Sequence, residues 1–542
     1  MKKIVTFLFL VSSFLGFSQE DAWVYFKDKP NATTMLASPL SMLSQRALDR
    51  RAAQGIALDV LDVPIHQDYL NAVIASKGIT YKAKSRWLNC LHVRGLQSDI
   101  SALKALSFVA KIDFADKNLN NLVGKKSSKL KPKSVNKLME AAVIFNYGNS
   151  LNQIQMINGH LLHQANYTGS GKIIAVLDTG FPQVNTASAF ERLRANNQIL
   201  GSYNFVTKST AVYEGNSHGT SVLGFMGGFV DGQLVGTAPD AKYYLYTTED
   251  VGSENPVEES NWVEAAEEAD RVGADIITSS LGYFNYDNGA YSHTYEDMKG
   301  DFAFASRGAN IAFNKGIVVL ASAGNSGQTS DPHIAVPAEA KNVIAVGAVQ
   351  ANRNYVSFSS IGPSFDGRVK PDVTAQGLNP YTFASGTINN SGSGTSYSCP
   401  ILAGMVACLW QALPNKTAIE IKELILQSSD NFSEPAIRSR PQYGFGIPDF
   451  NSALAKGLSV TNFSKIDFSV YPNPTDEFIS VALPNDSELA RMFIFNLLGQ
   501  KVLEKEVTKQ AASISLKSLS SGTYFYKIES KDFLKSGKII KK

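Results

Sequence analysis

Cysteine is nearly absent: Cys90, Cys399 and Cys408 are the only three in 542 residues, an odd number that implies no disulfide framework. Charge is scarce as well. Only 18% of the residues are charged, and 51 basic against 48 acidic side chains leave a net +3. That lies below the ~25% of an average globular chain, and there is no basic excess that calls for a nucleic-acid partner. Long apolar runs are missing after the first residues. Lys2 and Lys3, an apolar stretch over 4–15, and the small Gly16 and Ser18 form the three parts of an export signal over 1–18. No other stretch approaches the ~20 apolar residues of a membrane span, so export without a transmembrane anchor is expected. What the chain has in plenty is glycine, 41 residues, which points to tight turns and close backbone approaches.

At roughly 150 residues per domain the length predicts three or four units, and the pattern changes accordingly. Over 19–120, strands at 23–26, 79–81, 87–93 and 109–114 alternate with helical stretches at 41–54 and 97–105, the pattern of a small α+β domain. Over 121–145 lie Lys125, Lys126, Lys129, Lys131, Lys133 and Lys137, a basic linker suited to exposure and cleavage. From 146 to 458, β-branched runs at 173–177, 243–246, 276–278, 317–321 and 343–349 alternate with helical stretches. Continuous apolar strands of this kind are buried on both faces, and their alternation with helices predicts an α/β, doubly wound parallel sheet. Over 463–542 short alternating strands predict a β-sandwich. The acidic and aromatic stretch 285–301 reads as a surface insertion.

Four segments carry chemistry. The run Ile174-Ala175-Val176-Leu177-Asp178 ends a buried strand in a carboxylate, where open α/β sheets place functional side chains. His218-Gly219-Thr220-Ser221 opens a run of small residues that would let a helix pack closely and hold the imidazole still. Ala323-Gly324-Asn325 follows a buried strand, and Asn325 is able to donate to an oxyanion. Gly394-Thr395-Ser396 leads into an apolar helix with Pro400 expected in its first turn, so Ser396 sits near a helix N-terminus, which favours developing negative charge. Taken singly, each also suits a cap, a turn former or a core residue. Two further motifs fail: Gly169-Ser170-Gly171-Lys172 precedes a strand rather than following one, and His160 and His163 have no third ligand for zinc.

Within one α/β region the chemical residues come in the order Asp178, His218, Ser396, the order of subtilisins and not of chymotrypsin or the α/β-hydrolases. On these segments, with Ser279-Ser280-Leu281-Gly282 and Lys370-Pro371-Asp372-Val373, the region 146–458 resembles the subtilisin-like (S8) serine peptidases. The resemblance implies a catalytic triad of Asp178, His218 and Ser396, an oxyanion donor in Asn325, and substrate contacts at Ser280, Leu281, Gly282, Ala323 and Gly324. It implies a secreted endopeptidase acting on proteins or peptides through an acyl-enzyme. The alternatives are an inactive surface-binding relative or an exopeptidase whose cleft is blocked by 283–300. No cofactor is required for the chemistry and no metal ligand is assigned; structural calcium is compatible with the family. Tyr397 and Ser398 stand where Met and Ala are usual, which implies altered packing or specificity with the chemistry retained.

By position and pattern, 19–120 resembles the family's inhibitory propeptide. Tyr471-Pro472-Asn473-Pro474, Leu498-Gly499-Gln500 and Ser521-Gly522-Thr523-Tyr524 resemble the sorting domain of type IX secretion cargo. The implied partners are the protein's own propeptide and the type IX export machinery, and the implied location is outside the cell or on its outer surface.

Overall fold

The computed structural model describes residues 19–120, 145–434, 440–459, 469–482, 489–496, 500–508, 513–529 and 534–542. The export signal, and the linker up to 144, lie outside these residues. Two compact units result, one ending at Leu458 and one beginning at Ser459.

The first unit opens with β1 (Gln19–Phe26), β2 (Thr80–Ser85), β3 (Cys90–Leu96) and β4 (Val109–Phe114), an antiparallel sheet in the order β2-β3-β1-β4. Alternation along β1 and β4 turns Ala22, Val24, Phe26, Ile112 and Phe114 into one buried cluster with Val73 and Ile100 from the flanking helices. The expected α+β layout is present. The helix read over 41–54 is confined to Gln45–Ala53, because Ser44 caps it by accepting the amide of Ala47.

The centre of the unit is built on β5 (Ile173–Asp178), β6 (Ile199–Asn204), a short hairpin of β7 (Phe229–Val230) and β8 (Leu234–Val235), then β9 (Lys242–Thr247), β10 (Ile276–Ser279), β11 (Val318–Ser322), β12 (Ile344–Val349) and β13 (Val373–Gln376). Seven of these form a parallel sheet in the order β13-β12-β11-β10-β5-β9-β6. Every residue of β5, β10, β11 and β12 is buried, as the unbroken apolar runs require. Helices His218–Gly227 and Thr395–Ala412 pack together, and the latter runs across β5, β10, β11, β12 and β13. Helices Val257–Val272 and Phe304–Asn314 pack on each other, and Val257–Val272 also packs against β2 of the N-terminal sheet. The strand order reverses at β5, from which the chain first builds outward to β6 and β9 and then returns to β10. In open α/β sheets, ligands bind at the carboxyl end of such a switch point.

The stretch 285–301 is not a loose surface insertion. Tyr286, Tyr291 and Met298 are buried, and Glu259 at the start of the helix Val257–Val272 accepts from the Tyr286 hydroxyl (2.7 Å) and the Ala305 amide (2.8 Å) and pairs with His293 (2.7 Å). The buried carboxylate is what folds the aromatic segment inward.

The second unit holds a three-stranded and a four-stranded antiparallel sheet. Ile479, Val481 and Ile514 of the first share a core with Met492, Ile494, Ile528 and Ile539 of the second, a sandwich as the alternation predicts. Asn473 holds one edge of the last strand, donating to Lys538 O (2.6 Å) and accepting from the Ile540 amide (2.8 Å). Among the described residues no helix is long and apolar enough to cross a membrane.

Candidate active site

Asp178 ends β5 at the switch point and is fully buried. Its Oδ1 accepts the Thr179 amide (2.8 Å) and lies 2.8 Å from Nδ1 of His218, the first residue of the helix His218–Gly227. Gly219 makes this approach possible: a Cβ there would fall 3.0 Å from Asp178 Cβ and 2.9 Å from the Phe181 ring. Any side chain would push the helix, and the imidazole with it, off the strand. Burial pulls the His218 pKa down, but the Asp178 charge and hydrogen bond outweigh it and hold His218 above its ordinary value.

Ser396 is the second residue of the helix Thr395–Ala412 and only 9% exposed. Its hydroxyl makes no hydrogen bond among the described residues, so it is free to meet a partner. Asn325 reaches the same corner from the loop after β11. Its Oδ1 accepts from both the amide (2.9 Å) and the hydroxyl (3.0 Å) of Thr395, which leaves the Nδ2 hydrogens to point elsewhere. Gly394 lies beside that nitrogen: an added Cβ there would lie 3.4 Å from Asn325 Nδ2 and 2.9 Å from Ser396 Oγ. The glycine keeps open a space that one atom of a ligand can fill while touching both groups.

Pro400 is not in the first turn, as the sequence reading expects, but is the sixth residue of its helix. Lacking an N–H, it leaves the Ser396 carbonyl without its helical donor, and the Ser280 hydroxyl supplies one at 2.8 Å. Ser280 thus ties the segment 280–282 to the serine helix by its side chain. Gly282 is exposed, and Tyr283 pairs in both directions with Val336. The Gly324 amide donates to the Thr395 hydroxyl oxygen (3.1 Å), and Gly324 has φ +105°, a conformation glycine adopts without strain. Ala323 is buried behind it. All nine residues singled out from the sequence therefore come to one end of the sheet. Thr395 and the Glu249–Tyr283 pair (2.7 Å) belong to the same corner and were missed; Thr395 is the first residue of its helix, and its hydroxyl meets partners 70 and 71 residues away in Asn325 and Gly324. His163, by contrast, is spent on Tyr147 (2.8 Å) and the Thr237 carbonyl (3.0 Å).

Family models match three stretches of the chain. The subtilase family (peptidase S8) covers 169–446, the peptidase S8 propeptide domain of Bacteroidota covers 21–134, and the secretion system C-terminal sorting domain covers 469–542. Serine protease AprX of Bacillus subtilis is 31% identical over 296 residues, 49% of this chain and 63% of AprX, so the chain spans less than two thirds of that relative. Subtilisin DY of Bacillus licheniformis is 29% identical over 302 residues, 55% of this chain and 97% of its own. The solved structure of the epidermin leader peptide processing serine protease from Staphylococcus aureus superposes with a TM-score of 0.53 at 17% identity, covering 82% of this chain and 99% of that one, a likeness of fold.

Proposed function

The chain belongs to the subtilase family, and from that premise we propose that it is a serine endopeptidase in which Ser396 is the nucleophile, His218 the general base and Asp178 its orienter. The carrying observation is the 2.8 Å contact between His218 Nδ1 and Asp178 Oδ1 at the switch point of the sheet. A serine hydroxyl is a weak nucleophile until a base takes its proton. With Nδ1 engaged by Asp178, Nε2 of His218 is the nitrogen left to receive it. The Ser396 oxygen then attacks a peptide carbonyl, and the oxyanion settles into the space over Gly394, where Asn325 Nδ2 donates to it. The imidazolium returns its proton to the leaving amine, and water repeats the cycle on the acyl-enzyme. The exposed backbone of Gly282 offers an edge on which an extended peptide pairs as an added strand. No step calls for a metal or organic cofactor.

The sorting domain directs the protein through type IX secretion to the cell surface or beyond it. The N-terminal domain acts as an intramolecular inhibitor, and the domain limits are those of the sequence reading, with the lysine-rich linker as the place of cleavage. A fluorophosphonate probe tests the whole reading: it should label the processed protein at Ser396, and Ser396→Ala should abolish labelling and let the unprocessed precursor accumulate. Labelling that survives in Ser396→Ala, or a processed parent protein that is never labelled, overturns it. Internal cuts in a long peptide separate endopeptidase from exopeptidase action.

A further inference from the structure

Tyr397 directly follows the proposed nucleophile, yet its ring belongs to the surroundings of the base. It lies nearly parallel to the His218 imidazole, with centroids 6.3 Å apart and planes 23° apart. On its other side it packs on Phe225 at 4.9 Å, a residue with no exposed surface. Its hydroxyl faces Ser221, one turn into the helix that begins with His218. Gly392 closes the remaining side: a Cβ there would fall 2.5 Å from Tyr397 Cε2 and closer still to its hydroxyl. The ring is therefore held by Phe225, Ser221 and Gly392, and the His218 imidazole lies nearly parallel to it, with centroids 6.3 Å apart.

The imidazole needs such a wall. Only Nδ1 is hydrogen-bonded, to Asp178, and 29% of the side chain remains exposed. One hydrogen bond fixes one atom of the ring and leaves it able to swing toward solvent. We propose that Tyr397 is a positioning residue for the base, a flat wall that keeps the His218 imidazole directed at Ser396. This rests on the triad reading above. A methionine is smaller and has no rigid plane. The ionisable groups acting on His218 are Asp178, at the end of β5, and Glu249, just after β9; neither is altered in the variants below.

The test uses the processed, full peptidase with Tyr397→Phe, Tyr397→Met, Tyr397→Ala and Gly392→Ala, each checked for an unchanged fold by circular dichroism. Tyr397→Phe keeps the wall and should stay within about twofold of the parent. Tyr397→Met and Tyr397→Ala should lower kcat by about tenfold with KM unchanged, because a small loss of alignment costs rate and not binding. The acid limb of kcat/KM should move to lower pH, because an imidazole that swings away from Asp178 loses the charge and hydrogen bond that raise its pKa. Gly392→Ala leaves the tyrosine in place but displaces its ring, and should move kcat and the acid limb in the same direction. A rise in KM at constant kcat would instead make Tyr397 a substrate contact. Unchanged kcat and pH profile with a lowered melting temperature would make it packing alone. Either result overturns the proposal while fluorophosphonate labelling of the parent continues to support the triad; an unlabelled parent overturns both.

Discussion

Two surfaces of the central α/β region are built by opposite means. The candidate active site is made by leaving side chains out. Gly219 lets His218 reach Asp178, Gly394 keeps a space between Ser396 and Asn325, and Gly392 admits the ring of Tyr397. The face of the helix Val257–Val272 turned to the N-terminal domain is made by putting long charged side chains in. Arg50 and Arg51 reach the two oxygens of Asp270 at 2.5 and 2.6 Å, and Arg86 joins them at 3.2 Å. Glu267 accepts from the Ser85 hydroxyl (2.6 Å) and the amides of Arg86 and Trp87 (both 3.0 Å). Arg51 and Lys315 share Asp62 at 2.7 and 3.1 Å. Asp270 and Asp62 have no exposed surface. Buried charges of this kind are stable only while each keeps its partner, and water is a good substitute for both once they part. The glycine-built corner draws its contacts from the central region alone, whereas the buried carboxylates of the other face depend on cations of the N-terminal domain, as the proposed release of that domain requires.

The sharpest way to separate the two is to damage one and read the other. Asp178→Asn should lower kcat by about 10⁴-fold, since the base loses its correct tautomer and orientation, while the N-terminal domain stays bound as tightly as before. A fall of less than about tenfold would remove Asp178 from the chemistry. A loosened N-terminal domain would mean that the two surfaces are not independent.

The reverse experiment is Asp270→Ala. It leaves Arg50 buried without its carboxylate and Arg51 with Asp62 alone, and removing one partner of a buried pair typically costs about 3–5 kcal/mol. The cleaved N-terminal domain should therefore dissociate far more readily from this variant, as followed by size-exclusion chromatography after processing, with kcat of the freed peptidase unchanged. Retention equal to that of the parent would show that the remaining contacts of the interface, such as Arg46 with Asp275 at 2.5 Å and Trp23 stacked on Phe304 at 5.0 Å, suffice without Asp270.

The same contrast governs what the sequence made legible. The corner was readable because its pieces are local: an apolar run ending in Asp178, small residues after His218, Gly394 two residues before Ser396. The strands β5, β9, β10, β11 and β12 were readable as β-branched runs and moved by only a residue or so at their ends. Strands β6, Ile-Leu-Gly-Ser-Tyr-Asn, and β13, Val-Thr-Ala-Gln, went unread because one is a partly exposed edge strand and the other is short and half polar. The place of Pro400 inside its helix was unreadable for a different reason. The hydroxyl that compensates for its missing amide comes from Ser280, 116 residues before the carbonyl it meets. The arginine-built face had no local signature at all, its partners being some 180 to 220 residues apart. Nor did 285–301 reveal that Glu259 would draw its aromatic residues inward.

The smallest expected effect concerns pH, and it divides the two surfaces once more. Burial lowers the His218 pKa, but the Asp178 charge and hydrogen bond raise it by more, so it lies above 6.5. As the proposed base, His218 works as neutral imidazole, so activity should be present above this raised value and lost as pH falls through it. The acid limb of kcat/KM for the processed enzyme should accordingly have its inflection above pH 6.5. At the interface, burial works against the Asp62 carboxylate, yet Arg51 and Lys315 hold it below its usual range, while Asp270 and Asp62 together keep Arg51 above its own. The Asp62 carboxylate keeps its charge near neutrality, so the contribution that its pair with Lys315 makes to retention of the N-terminal domain should be flat between pH 6 and 8. Its loss would set in only as pH falls through the depressed Asp62 value. An inflection of kcat/KM at or below 6.5 would mean that the Asp178 charge is not felt at His218 in solution, and the corner would then be less preorganised than its geometry implies.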